Sequence, residues 1–111
     1  MTVRDMVREA QKEFLSGDLE PARSRDLLVK LTALLGNVMT EIREADADYA
    51  RVLDAALDEH AKANRARIKA ETTPAFARKR EAHDTRVLLI EMIRALKTNV
   101  RSLSDEMNLT R

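Results

Sequence analysis

The amino-acid sequence predicts an all-α protein: a short N-terminal helix followed by a long antiparallel two-helix hairpin that resembles a coiled coil and assembles into an oligomeric helical bundle. Three observations favour this class. The chain of 111 residues has only two Gly and two Pro, which leaves few turns. It has one Tyr, two Phe and no Trp, too few aromatic residues for a typical β core. Apolar residues also recur at heptad spacing along most of its length.

The first helix is expected over residues 3–16. Thr2 can cap its start together with Asp5, and Gly17 suits the left-handed residue that often ends a helix. Its apolar stripe includes Val7 and Phe14. We expect this stripe to cover a leucine-rich face at the start of the next helix.

The second helix is expected to run without interruption over residues 21–71, and Gly36-Asn37 is the place where it could kink. A heptad that begins at Leu28 continues to Ala70 without a change of phase. Glu59 is the only charged residue at its a and d positions. Such a pattern indicates a helix that packs along another helix for most of its length.

The third helix is expected over residues 74–108, because Thr72-Thr73-Pro74 is the next strong stop and start signal. Its heptad consists of Leu89, Ile93, Leu96, Val100, Leu103 and Met107. A short loop at residues 72–73 makes the two long helices antiparallel neighbours, and in the resulting register Leu96 faces Tyr49. We therefore interpret residues 1–111 as a single helical domain.

A second row of apolar residues lies away from the heptad positions. It consists of Met39, Leu53, Leu57, Leu88, Ile90 and Met92. Residues 87–90 are apolar on every side of their helix, and a single hairpin cannot cover such a segment. A homo-oligomer that buries this row is the simplest explanation. Coverage by the first helix and plain exposure are the alternatives.

Charge is segregated along the predicted hairpin. An acidic stretch over residues 41–59 is followed by a basic cluster around the tip: Lys62, Arg65, Arg67, Lys69, Arg78, Lys79 and Arg80. This cluster can contact nucleic-acid phosphates without sequence preference. It can equally engage a partner protein, dock on the acidic stretch of another copy or remain a solvated surface. Apart from Phe76 it lacks aromatic residues on which bases could stack.

No pattern in the chain indicates catalysis, a cofactor or a metal. There is no Cys, no nucleophile motif and no glycine-rich phosphate loop. His60 and His83 are expected to lie close together across the hairpin, but they lack the Glu-x-x-His spacing of metal-binding bundles. We expect a protein that is not an enzyme.

We expect a cytoplasmic location without membrane association. The longest apolar run, residues 87–90, is far shorter than the roughly 18 residues of a membrane span. Arg4 and Asp5 interrupt any apolar segment of the kind that a signal peptide needs. The absence of Cys also fits a reducing compartment.

Three segments resemble small helical-hairpin proteins of bacteriophages and prophages. They are residues 63–68 (ANRARI), residues 70–74 (AETTP) and residues 102–107 (SLSDEM). The Arg-, Ala- and Asp-rich usage is similar to that of actinobacterial hosts, and the resemblance covers about residues 42–111. It implies a non-enzymatic accessory protein, with phage DNA metabolism as one setting. No functional residue is carried over, because that group has no agreed site.

Overall fold

The computed structural model describes residues 2–17 and 19–109, with the backbone alone for residues 103–109. Within these ranges the chain forms four α-helices and no strand: α1 (Val3–Leu15), α2 (Pro21–Glu59), α3 (Ala63–Glu71) and α4 (Pro74–Leu109). The two long helices, α2 and α4, pack against each other as a hairpin. The predicted all-α hairpin is thus confirmed.

The predicted signals at both ends of α1 are confirmed. The Thr2 hydroxyl accepts a hydrogen bond from the Asp5 N–H at 3.1 Å, and the Asp5 carboxylate accepts one from the Thr2 N–H at 3.1 Å. These two bonds satisfy amide groups that the first turn of a helix leaves without partners. The bond from the backbone of Thr2 also lowers the pKa of Asp5. At the other end Gly17 has a φ of +80°, a conformation that glycine adopts without steric cost.

The chain folds into two compact units, residues 1–37 with 85–111 and residues 38–84. The core of the first unit is made of large aliphatic side chains that are almost completely buried: Val7, Leu27, Leu31, Leu89 and Leu96. Full burial of one such side chain stabilises a fold by about 1.5–3 kcal/mol. The leucine-rich face of α2 and the third-helix heptad residues Leu89 and Leu96 are therefore core positions, as predicted. Leu103 and Met107 lie outside the described side chains.

Two polar contacts join helices within the first unit. The Asn99 amide donates a hydrogen bond to the hydroxyl of the fully buried Ser24 at 3.2 Å, so this buried polar group is satisfied. The guanidinium of Arg23 donates two hydrogen bonds to the Glu13 carboxylate, at 2.5 and 2.9 Å. This bidentate pair lowers the pKa of Glu13, raises the pKa of Arg23 and connects the end of α1 to α2.

One buried cluster of the second unit combines Tyr49 with three alanines. Tyr49, Ala56, Ala66 and Ala70 are buried together, and Val52, Leu53 and Phe76 pack against them. Tyr49 and Ala56 belong to the predicted heptad of α2, which stays on the buried face up to this point. Since α3 adds only alanines to this core, it contributes little apolar area.

The prediction of one continuous helix over residues 21–71 is wrong. The helix passes through Gly36-Asn37 without interruption but ends at Glu59, and residues 60–62 are not helical. The physical reason is tertiary: the separate helix α3 buries Ala66 and Ala70 against Tyr49 and Ala56, and this burial overrides local helix propensity. The predicted break at residues 72–73 is confirmed, because α3 ends at Glu71 and α4 begins at Pro74.

The early end of α2 also changes the register of the hairpin. The ring of Tyr49 packs against Phe76, whereas the predicted register placed Leu96 at this position. The buried faces of α2 and of α4 up to Leu96 follow the predicted heptads, but the pairing of the two helices was derived from a turn at residues 72–73. The pairing of Leu96 with Tyr49 is therefore wrong.

The Glu13–Arg23 pair makes stability depend on pH. A carboxylate whose pKa is lowered by folding contributes stability fully above its ordinary pKa of 4.5, and this contribution disappears as the pH falls through the lowered pKa. We expect Glu13→Gln to be less stable than the wild type at about pH 7, and the difference to shrink below about pH 4. Urea unfolding followed by circular dichroism at several pH values measures this difference. Glu9→Gln, an exposed neutralisation on the same helix, should cost less, and a pH-independent cost of Glu13→Gln would contradict the assignment.

Candidate interaction surface

The short helix α3 is fixed unequally at its two ends. At its C-terminus the Thr72 hydroxyl donates a hydrogen bond to the carbonyl of Lys69 at 2.7 Å, and the Thr73 hydroxyl donates one to the carbonyl of Ala70 at 2.5 Å. At its N-terminus Lys62 is extended, with φ −110° and ψ 126°, and its side chain makes no capping hydrogen bond. The amide groups of the first turn therefore lack the side-chain acceptor that commonly satisfies them.

The two faces of α3 differ in character. Ala66 and Ala70 are fully buried in the second unit, and Ile68 is 64% exposed. Successive residues of an α-helix are about 100° apart, so Ile68 points away from the face that carries the two alanines. A large aliphatic side chain is thus exposed to solvent at the centre of the outer face of α3, the face opposite Ala66 and Ala70.

Four of the seven predicted basic residues surround this exposed isoleucine: Lys62, Arg65, Arg67 and Lys69. All four are exposed. Arg67 donates a hydrogen bond to the side chain of Asn64 at 3.4 Å. Among the side chains that the structure describes, no carboxylate forms an ion pair with any of the four. Their charge is therefore not neutralised within the described part of the chain.

The other three predicted basic residues are engaged within the second unit. Arg78 forms ion pairs with Asp48, at 2.7 Å, and with Glu44, at 3.4 Å. The Lys79 ammonium lies 4.6 Å from the centroid of the Tyr49 ring, in a cation–π contact. The guanidinium carbon of Arg80 lies 6.0 Å from the Phe76 ring centroid. The basic cluster that the sequence suggested as one surface is therefore divided. Four of its residues, in and next to α3, are exposed, and the three at the start of α4 contact other side chains of the second unit.

An aromatic pair lies at the centre of these contacts. The ring centroids of Tyr49 and Phe76 are 5.4 Å apart, with 47° between the ring planes. Tilted aromatic pairs at this distance stabilise packing beyond the area that they bury. Sequence reasoning missed this pair. The available signal was that Tyr49 and Phe76 are two of the few aromatic residues in the chain, with acidic residues before Tyr49 and basic residues after Phe76.

The two histidines do not meet. His83 Nε2 lies 2.9 Å from the carboxylate of Asp46. His60 follows the end of the same α2 that carries Asp46, roughly 20 Å further along at 1.5 Å per residue. The predicted proximity of His60 and His83 is therefore wrong, again because the register differs. The described residues contain no group of three or more His, Asp or Glu side chains that could hold a metal ion.

The predicted second apolar row is divided between the two units. It consists of Met39, Leu53 and Leu57 in the second unit and of Leu88, Ile90 and Met92 in the first. Met39 and Leu57 are 43% and 44% exposed, and Leu53, Leu88 and Ile90 are half-buried. Met92 is only 5% exposed, because it shares a helical face with the core residues Leu89 and Leu96. Met92 is therefore a core residue and is not available as part of an exposed interface.

A cleft remains between the end of α2 and α3. Its volume is about 230 Å³, and it is lined by Val52, Ala55, Ala56, Glu59, Lys69, Ala70 and Thr73. A space of this size next to two buried alanines means that α3 does not fill the surface against which it packs.

Comparisons of this chain with protein-family models, with curated proteins and with solved structures find no match. Among the described residues, no helix is both long enough and apolar enough to cross a membrane.

Tyr49 connects α2, α3 and α4 within the second unit, so its truncation should be costly. We expect Tyr49→Ala to lower the free energy of unfolding by about 3 kcal/mol, in the range found for large-to-small core substitutions. Tyr49→Phe keeps the ring and should cost less than about 1 kcal/mol. Urea unfolding of both variants measures the difference, and equal costs would contradict the role assigned to the ring.

Proposed function

We propose that this protein is a non-enzymatic interaction protein that engages a partner protein through the outer face of α3 and forms homo-oligomers. With the resemblance described above, we place it among phage-encoded accessory factors that act in the host cytoplasm. The observation that carries the proposal is Ile68, 64% exposed on a helix whose three cations, together with Lys62 at its N-cap, have no acidic partner among the described side chains.

This combination of side chains fits a protein partner with an acidic surface. An aliphatic side chain that becomes buried on binding contributes about 1.5–3 kcal/mol, so Ile68 supplies an anchor of the kind found at the centre of interfaces. Arg65, Arg67 and Lys69 around it supply charge that accelerates association with an acidic partner and selects against basic ones. The partner surface should therefore combine an apolar recess with Asp and Glu at its rim.

A second candidate function is binding to nucleic acid through the same four cations. What favours it is that their charge is not neutralised by carboxylates within the described part of the chain. Such binding would be independent of sequence and would weaken steeply with salt, because it releases counterions from phosphates. Phosphates offer no apolar surface against which Ile68 could pack. Binding to nucleic acid therefore does not depend on Ile68, whereas binding to a protein partner does.

Two variants of α3 test both candidates. We expect Ile68→Ser to lose the protein partner, and Arg65→Glu combined with Lys69→Glu to lose it as well, because the interface needs the anchor and the charge. Leu15→Ser, which alters a leucine of α1 that is 73% exposed, should bind like the wild type. Affinity capture from an extract of host cells compares the proteins retained by the wild type and by each variant, and circular dichroism confirms that each variant is folded.

The same variants should be titrated with duplex and single-stranded oligonucleotides at low and moderate salt. Salt-sensitive binding that survives Ile68→Ser but is lost in the charge-reversed variant would establish the nucleic-acid candidate. Proteins captured equally by wild type and by both α3 variants would contradict the proposed surface.

A further inference from the structure

We propose that a second copy of this chain binds by helix exchange. Residues 60–62 act as a hinge that straightens, α2 and α3 join into one helix, and α4 of each chain packs on α2 of the other. This inference rests on the homo-oligomer in the proposed function and specifies how its subunits would be joined.

The residues of the hinge do not by themselves require a break. His60, Ala61 and Lys62 include no Gly and no Pro, and Ala and Lys are among the best helix formers. Helical hydrogen bonding continues up to both sides of the hinge. The His60 N–H donates to the carbonyl of Ala56 at 3.0 Å, and the Ala66 N–H donates to the carbonyl of Lys62 at 3.2 Å. Only a few backbone angles therefore separate the bent form from a joined helix.

The apolar pattern also fits a joined helix. The heptad of α2 keeps its phase across the hinge, with Ala56, Ala63 and Ala70 at a positions and Ala66 at a d position. In a continuous helix these alanines lie along one face and extend the buried face of α2. The bent form buries Ala66 and Ala70 but leaves Ala63 exposed, so Ala63 is the position at which this phase favours the joined helix.

The bent form is weakly held. In it α3 is anchored by the side chains of Ala66 and Ala70, and the cleft beneath it is not filled. The Nε2 atom of His60 is buried and has no hydrogen-bond partner among the described residues. A buried polar atom without a partner is unfavourable, and straightening at the hinge would return it to water. Straightening therefore gives up the burial of two alanines and relieves one unpaired polar atom.

Straightening forces α4 to move, because only Thr72 and Thr73 connect it to α3. Phe76 then leaves Tyr49, and Arg78 leaves Asp48, of the same chain. A second copy can restore both contacts, since its α2 presents the same residues. The Asn99–Ser24 hydrogen bond of the first unit likewise re-forms between chains. Exchange restores these contacts between chains, gives up the packing of Ala66 and Ala70 on Tyr49 and Ala56, and otherwise changes only the hinge, the arrangement that makes short hinges prone to domain swapping.

The absence of Cys allows a direct test by cross-linking. Asp48→Cys and Arg78→Cys are prepared as two separate single-cysteine proteins, unfolded together, refolded and treated with a short bismaleimide. Both positions are on the surface, and their native side chains form an ion pair. If the chains exchange helices, a product of twice the 12.6 kDa chain mass forms between the two variants. A mixture of Asp48→Cys with Leu15→Cys measures linkage by random collision and should give little product.

A hinge variant shows whether straightening drives the exchange. Ala61→Gly disfavours a joined helix by a factor of about five per chain, so the dimer association constant should fall about 25-fold. Ala50→Gly makes the same substitution at an exposed site inside α2, which is helical in both forms, and should leave association unchanged. Light-scattering mass over a range of concentrations measures both variants. Equal association of the two variants would overturn the role of the hinge.

The outcomes separate this inference from the proposed function. A dimer in which Asp48→Cys and Arg78→Cys do not cross-link between chains overturns helix exchange but keeps the homo-oligomer. A monomer at every concentration overturns both, while the partner surface around Ile68 is tested independently by its own variants. A cross-linked dimer that responds to Ala61→Gly and not to Ala50→Gly supports exchange.

Discussion

Because α2 ends at Glu59, the chain turns back early enough for Phe76 to meet the ring of Tyr49. This contact fixes where α4 begins along α2 and therefore which charges lie opposite one another. Arg78 reaches Asp48 and Glu44, and His83 reaches Asp46, as consequences of the same register. Had the helix continued to residue 71 with α4 folded back on the same chain, Leu96 would have faced Tyr49 and these pairs could not form within that chain. The position of one helix end thus determines the contacts of the second unit.

The same turn determines which cations remain available to a partner. The segment that would have been the tip of a long hairpin becomes α3, whose inner face carries Ala66 and Ala70 and whose outer face carries Ile68. The cations around Ile68 point to solvent, whereas Arg78 is held by carboxylates of α2. Because α3 is anchored by alanines, it buries little apolar area against the second unit. This helix is both the interaction surface that we propose and the segment that we propose to be released at the hinge.

The parts of the fold that could be predicted are those with a strong local signal. Thr2, Gly17 and Pro74 mark helix ends through hydrogen bonding or backbone conformation, and heptad spacing identified the buried faces of α2 and α4. The break after Glu59 could not be predicted, because Ala61 and Lys62 favour helix and only burial elsewhere opposes it. Every error in pairing followed from that break. The sequence identified the seven basic residues of the candidate surface. Which of them contact α2 and which face solvent could be seen only once the register of the hairpin was known.

One NMR measurement tests most directly the register in which α4 packs along α2. Tyr49 is the only tyrosine, so its ring protons can be assigned without ambiguity and their nuclear Overhauser contacts followed. The structure predicts contacts between the rings of Tyr49 and Phe76, whose centroids are 5.4 Å apart, and none between Tyr49 and the methyl groups of Leu96. Contacts of Tyr49 with Leu96 and none with Phe76 would show that α2 and α3 form one continuous helix paired in the longer register, and would contradict the account.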